Sequence, residues 1–575
     1  MARCSRSALV LVMILATALA AAAGQDDLSR VIRDRGSLPG LTESIQGALA
    51  YLEDTQVRNR PGKGPLLCDS SDEGDGCKNQ LTLNLPFREN IGLSVPPLLK
   101  ARNRSGEWAS HVHFLPKKLG LKGRDFFSVQ DSNLFMTSFI GYPLFLLDES
   151  AFREEHRIIA PMLRLAMKNV ESFRRGDAYN FWAELPGVRG TVPRTGPFNI
   201  PVEMIEKLGG AYLNPKFARF FAILSRGQQV PPPFWIEACL DPKGNPTGAD
   251  ALFNIPNDTD DTSTAVAFQH LYRLRFPNDG VAPDRAALAV FRNFRDLHRD
   301  KEDGRDAWKG KNTGAFLTWL KDESRPTFER AEIGVIPLAV NNVDAVVNSN
   351  AAFALALTGM RHLPGYRDCL RLIADAIHKQ AWPQAGLYYP QFMIFPYAAS
   401  RAWRDGGARE GEMGEAMDKL LLDLLDIQQG WAKREPKHLG AFPGGEDRSD
   451  HLSTALGLTT LLNLGRERAV RLAVADRFDR AVTAAARYLI AVRQDRAPIN
   501  PSTRARFAAG SGKVAVWDSG LFFSASFWDL GHWRSQAFTV AMALEALTKY
   551  AIAYDLDDTP FGSRRLKLVP AVPAR

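Results

Sequence analysis

Directly after Pro256 the chain reads Asn257-Asp258-Thr259-Asp260-Asp261-Thr262-Ser263-Thr264-Ala265, three carboxylates in four positions. They share one small volume where a turn should hand over to a helical run at 266–274. Like charges that close cannot all ionise cheaply, so one carboxyl is pushed to keep its proton near neutral pH. Such a group is a Brønsted acid. Two other uses of the same residues stay open. Asp, Asn, Ser and Thr are the preferred helix N-caps, and acidic residues in a first turn complement the helix dipole. Clustered carboxylates in an exported protein also coordinate calcium.

Aromatic residues gather elsewhere in the chain, at Tyr179 to Trp182, Tyr388-Tyr389, Phe522-Phe523, Phe527-Trp528 and Trp533. Rings of this kind stabilise cations through their faces, and Trp182, Tyr388, Tyr389 and Trp533 are candidates for contact with a substrate. Arg401 follows the tyrosine pair within the same segment and could, with it, hold an oxygenated or phosphorylated head group or anchor a loop. Asp450, followed by His451, is a candidate second acid or a helix cap. His111-x-His113 would suit a metal only on a strand with further ligands, and the sequence offers none, so no metal and no zinc site is expected.

Helical periodicity runs through 158–173, 286–298, 350–357, 413–429 and 477–492, while alternating strand-like segments are scarce. One kind of helix start recurs, at Asp131-Ser132-Asn133, at Asp260-Asp261, at Asn341 to Asn350, at Asp450-His451 and at His532 to Gln536. Each opens on polar or acidic residues and continues into a nearly all-apolar helix, which must be buried. Buried helices alternating with amphipathic ones predict an all-α fold with two concentric rings, an α/α toroid. The inner N-termini would then face one shared cavity.

The run Asp258-Thr259-Asp260-Asp261-Thr262 resembles the Asp-x-Asp-Asp-Thr motif of class II terpene cyclases of the squalene-hopene type, within the terpenoid cyclase and prenyltransferase superfamily. That resemblance implies the same toroid and a protonation-initiated cyclisation or isomerisation of an isoprenoid lipid. It assigns Asp260 as general acid, Asp258 and Asp261 as the neighbours that set its proton affinity, and Thr262 as a capping hydroxyl. The Gln-Trp repeats of the triterpene cyclases are reduced here to Gln428-Gln429-Gly430-Trp431.

Residues 1–23 carry Arg3 and Arg6, an apolar stretch at 8–20 and an Ala21-Ala22-Ala23 end, the pattern of a secretory signal peptide. The expected mature protein is secreted or periplasmic, with one toroid domain over 24–558, a tail at 559–575 and no membrane span. Contact with a membrane surface fits an exported protein with a lipid substrate. Export permits disulfides, and Cys68 and Cys77 bracket a polar, glycine-rich loop that a bridge would staple near the N-terminus. Whether Cys239 and Cys369 pair is left open by the sequence. Without Arg3 and Arg6 the chain has 70 basic and 64 acidic residues, near +6, and no basic run interleaved with aromatics, so nucleic acid is not an expected partner. No phosphate loop, dinucleotide fingerprint or serine elbow appears, and no cofactor is expected.

Three functions compete on these grounds. The first is an exported protonating cyclase. The second is a glycan-active toroid, hydrolase or lyase, with Asp260 and Asp450 flanking a sugar. The third is a non-catalytic toroid that binds a lipid or a protein.

Overall fold

The computed structural model describes residues 38–58, 82–84, 92–94, 104–114, 127–149, 156–185, 194–196, 255–298, 312–321, 341–444, 450–507, 512–524 and 531–554. The leader at 1–23, Cys68, Cys77, Cys239 and the tail at 559–575 lie outside them, and with them the predicted disulfide staple.

Among the described residues, six helices buried over most of their length form an inner ring: α2 (Leu134–Glu149), α4 (Thr259–Arg275), α6 (Ala345–Leu357), α8 (Ile394–Arg404), α10 (Asp450–Leu464) and α12 (Gln536–Ala553). Each packs on the next, and α12 packs on α2, so the ring closes. Their composition explains their place. Every residue of α6 from Ala345 to Ala356 is buried, as is every residue of α12 from Gln536 to Ala551. A helix apolar on all sides has no face to give to water.

The alternate helices form the outer ring: α1 (Leu41–Thr55), α3 (His156–Glu171), the short α5 (Arg285–Ala289), α7 (Tyr366–His378), α9 (Met413–Arg434) and α11 (Ala475–Val492). Here α1 leans on α12, α3 on α2 and α4, α7 on α6, and α11 on α10 and α12. In α7 the residues Tyr366, Cys369, Leu370, Ile373 and Ile377 are buried, whereas Arg367, Arg371 and Lys379 face outward. This is the amphipathic stripe of a helix with one wet side. Among the described residues, no helix is long and apolar enough to cross a membrane.

Among the described residues outer and inner ring helices alternate along the chain, with short helices at Arg466–Arg471 and Pro501–Arg506 in the connections, which makes the inner helices parallel and puts their N-termini at one end of the barrel. Side chains cap most of them. Asn133 Oδ1 accepts the Met136 N–H (3.0 Å) at α2, Asp258 caps α4, Asp344 accepts the N–H groups of Val346 and Val347 at α6, and Ser535 accepts that of Phe538 at α12. The cap of α4 is therefore Asp258 and not Thr262. Thr262 Oγ1 instead accepts the Tyr179 N–H at 3.1 Å, because its side chain points to the short strand Ala178–Tyr179 packed beside the helix start.

A four-stranded antiparallel sheet covers the same end, in the order β3 (Leu521–Ser524), β4 (Gly531–Arg534), β1 (Ser110–Phe114), β2 (Phe127–Asp131). Trp533 pairs with Val112, and Ser110 with Asp131. β2 runs into α2 and β4 into α12, so the sheet sets the entry of two inner helices. Two expectations change at this level. The helix foreseen at 286–298 ends at Ala289, where a 3-10 turn buries Phe291 and Arg295 forms a bridge with Phe316. Cys369 is a buried free thiol whose Sγ donates to Asn348 O at 2.9 Å.

Helices α2 and α4 approach very closely at Gly141. A Cβ there would stand 2.3 Å from Phe268 Cε2, so only glycine fits.

Candidate active site

The start of α4 is held from two sides. Thr259 donates its N–H to Thr318 O (2.8 Å) and its hydroxyl to Leu317 O (2.6 Å), while the Asp258 N–H reaches Tyr179 O at 3.3 Å. Asp258 Oδ1 accepts the N–H of Asp261 at 2.7 Å, the ordinary reward of an N-cap aspartate. All three carboxyls are buried, with Asp260 6 % exposed. They do not converge on one point.

Asp258 and Asp261 lie within hydrogen-bond reach of each other. Burial raises the proton affinity of both above the usual carboxylate range; the charge of Asp260 adds to it at Asp258, where the Asp261 N–H pulls the other way, and the charges of Asp258 and Asp260 add to it at Asp261. Asp258 Oδ2 and Asp261 Oδ1 have no hydrogen-bond partner among the described residues. Asp260 turns the other way. Its Oδ1 accepts from Asn350 Nδ2 at 2.6 Å, and its Oδ2 accepts the hydroxyl of Tyr389. Burial raises its proton affinity too, against the Tyr389 and Asn350 hydrogen bonds and the charge of Arg401, which pull it down. Burial thus favours the protonated acid, and the two donors with Arg401 favour the carboxylate that remains once the proton has gone.

Asn350 and Asp344 complete this arrangement from α6. Asn350 Oδ1 accepts Arg401 Nη2 at 2.7 Å, which fixes the amide. The Asp344 carboxyl also accepts the N–H groups of Leu387 and Tyr388, and burial raises its affinity to about 7. Tyr389 is thereby held over Asp260.

Above Asp258, Asp260 and Asp261 lies a cavity. Its walls are the rings of Phe135, Phe181, Trp182, Trp319, Tyr388, Tyr389, Phe523 and Trp533. Phe523 is the hub, with its centroid 5.0 Å from Trp533, 5.3 Å from Phe181, 5.7 Å from Tyr389 and 6.0 Å from Tyr388. The polar edges of these rings are turned into the protein. Asp131 accepts the indole N–H of Trp182 (2.9 Å) and of Trp533 (2.7 Å), and Tyr388 accepts that of Trp319 (3.2 Å) while also accepting from Asn342 (2.8 Å). The cavity therefore meets ring faces and carboxyls.

Of the residues singled out from sequence, Asp258, Asp260, Asp261, Trp182, Tyr388, Tyr389 and Trp533 come together on this wall. Arg401 lies beneath it, reaching Asp260 through Asn350 and lining a smaller pocket with Phe139, Tyr142 and Phe353. Asp450 stands apart, where it accepts the Gly444 N–H (3.0 Å) and the Trp431 indole N–H (3.2 Å) and meets His438 Nδ1 at 2.6 Å. His111 lies on β1, and no group of three His, Cys, Asp or Glu side chains among the described residues is placed to hold a metal ion. Sequence reasoning did not single out Asn350, Asp344, Asp131 or Trp319 for the site, and named Phe523 only within an aromatic cluster. The run Asn348-Ser349-Asn350 within a largely apolar inner helix was the available signal for Asn350.

No protein-family model and no curated relative matches the sequence. Among solved structures the chain is similar to a single-residue variant of the type II terpene cyclase MstE from Scytonema in complex with geranylgeranyl dihydroxybenzoate. Identity is 14% and the TM-score 0.41, over 89% of this chain and 98% of that one. A metagenome-derived glycoside hydrolase family 9 endoglucanase is similar at 11% identity and a TM-score of 0.36, over 89% of this chain and 81% of that one. Likenesses this shallow assign no activity, and the chemistry has to come from the cavity.

Proposed function

We propose that the protein is a class II terpene cyclase-like enzyme that protonates a carbon-carbon double bond of an isoprenoid lipid, with Asp260 as general acid. The observation that carries this is a buried carboxyl with two donors aimed at it, on the floor of a cavity walled by ring faces. A carboxyl oxygen has more than one lone-pair site, so Tyr389 and Asn350 can donate to Asp260 while it still holds a proton. When that proton goes to an alkene carbon, the same donors receive the new carboxylate without rearranging. The carbocation formed is met by ring faces, and the apolar walls keep water from quenching it.

Asp258 and Asp261 act as neighbours in this scheme. Their shared proton keeps their net charge low, so Asp260 is not flooded by like charge from its own helix. A sugar would ask the walls for hydrogen-bond partners, and the indole and phenol edges that could serve are already engaged. The leader-like residues 1–23 point to an exported enzyme that meets its lipid at or beyond a membrane surface.

The test is to incubate the mature protein with a host lipid extract in D2O, beside Asp260→Asn, and to read the products by mass spectrometry. An isomer carrying one deuterium on carbon, formed by wild type alone, is the expected signature. Unchanged lipids in both samples, with a lipid or glycan copurifying, would leave a binding toroid or a glycan enzyme instead.

A further inference from the structure

Arg401 is a cation in a place that should not tolerate one. It is 3 % exposed, and its guanidinium carbon stands over four rings: Phe139 at 4.5 Å, Phe353 at 4.7 Å, and Tyr142 and Tyr397 at 5.3 Å each. Among the described residues no carboxylate lies within salt-bridge distance of it, and its Nε–H has no hydrogen-bond partner. Its one side-chain acceptor is Asn350 Oδ1 at 2.7 Å. Ring faces offset part of the desolvation of a guanidinium, but a buried charge with no anion beside it is costly unless it has a use.

The orientation of Asn350 supplies that use. A guanidinium only donates, so Asn350 must present its oxygen to Arg401 and is left with its NH2 facing Asp260. An amide locked this way favours the carboxylate over the carboxylic acid. Freed from Arg401, the same amide could turn and accept a proton from Asp260. We infer that Arg401 is a positioning residue that works through Asn350 to keep Asp260 a strong acid. This inference rests on Asp260 being the proton donor.

The other titratable groups around the pair are accounted for. Asp258 and Asp261 on α4 face each other, Asp344 caps α6, and Tyr389 donates to Asp260. On the far side of Arg401, Tyr142 on α2 donates to Asp405, Tyr397 on α8 donates to Glu545 (2.8 Å), and Lys549 on α12 meets both of those carboxylates (2.8 and 3.0 Å). Lys549 offsets one of these two charges, and both carboxylates accept a tyrosine hydroxyl, while neither pairs with Arg401. Asp260 is the anion left for Arg401.

The experiment needs no substrate. Infrared spectra of the whole mature protein are recorded against pH, and the protonated-carboxyl band that Asp260→Asn deletes is followed in wild type, Arg401→Gln, Arg401→Lys and Asn350→Leu. In Arg401→Gln the midpoint of that band is expected to rise by about one pH unit, a tenfold weaker acid. Arg401→Lys, which keeps the charge, should shift it less, and Asn350→Leu should raise it while leaving Arg401 in place. With an assay in hand, Arg401→Gln should lower kcat and move the high-pH limb of activity upward together.

A midpoint unchanged in Asn350→Leu and in Arg401→Lys, whose folding is checked by circular dichroism, overturns the inference even if Arg401→Gln does not fold. If the midpoint shifts but no lipid acquires deuterium, the coupling stands and the proposed alkene chemistry is what fails.

Discussion

Asp344 Oδ2 accepts the backbone N–H of Leu387 at 2.5 Å, so the residue that caps α6 also anchors the turn that carries Tyr388 and Tyr389. One carboxyl thus fixes the position of the hydroxyl that meets Asp260. Asp344→Ala should remove the cap and strand the Leu387 N–H, at a cost of about 2–4 kcal/mol in urea unfolding. A loss below about 0.5 kcal/mol would show that the turn stands without it.

Tyr389→Phe takes one of the two donors from Asp260 and leaves the ring. Turnover should fall roughly 10- to 100-fold, the worth of a hydrogen bond to a charged group, with little change in KM. Steady-state kinetics on the lipid identified in D2O decide it, and a change confined to KM would make Tyr389 a substrate contact only.

Asp131 holds two tryptophans from distant parts of the chain, Trp182 and Trp533, and no other residue could replace both bonds. Asp131→Leu leaves two buried indole N–H groups unpaired, for which about 2–5 kcal/mol is expected. Near-ultraviolet circular dichroism of the folded variant should lose tryptophan signal. An unchanged spectrum with unchanged stability would dismiss the clamp.

Stability should fall as pH rises. Burial lifts Glu107 to about 8 and Asp344 to about 7, whereas both ionise near 4 in an unfolded chain. Between those values the folded chain keeps protons that the unfolded chain has released, so each unit of rising pH costs up to about 1.4 kcal/mol per group. Stability from this source is complete below about pH 4 and spent by about pH 8. Calorimetry should give a higher Tm at pH 5 than at pH 8, and Glu107→Gln should flatten the slope. A Tm that climbs over that range would contradict the assignment.

The inner ring was legible wherever a polar cap announced it, at Asn133, Asp258, Asp344 and Ser535, because capping and all-round apolarity are local properties. Helix α8 was not. Its N-cap position is Met393, with no side-chain cap, and the stretch read as a tyrosine-rich loop with an arginine. The sheet was hidden for a different reason. Its strands are four or five residues long and pair β1 with β4 across more than four hundred positions, so nothing local reports the partner. At the site, residue types identified the carboxyls and rings, but Asn350 meets Asp260 only because α6 packs beside α4. Asp450 had the right chemistry and sits at the same kind of helix start, yet its carboxyl is taken by Gly444, Trp431 and His438.

Closure of the ring by α12 against α2, with β4 slotted beside β1, sets when the protein can become itself. Trp533 and the last inner helix leave the ribosome after all the others, so a growing chain exposes apolar helices that have no final neighbour. Contacts of such sequence separation form slowly. A chain ending before residue 531 would lack α12 and the Trp533 wall of the cavity and present an open, adhesive arc, a natural client for holding chaperones and proteases. Full length is thus a condition for solubility as much as for chemistry.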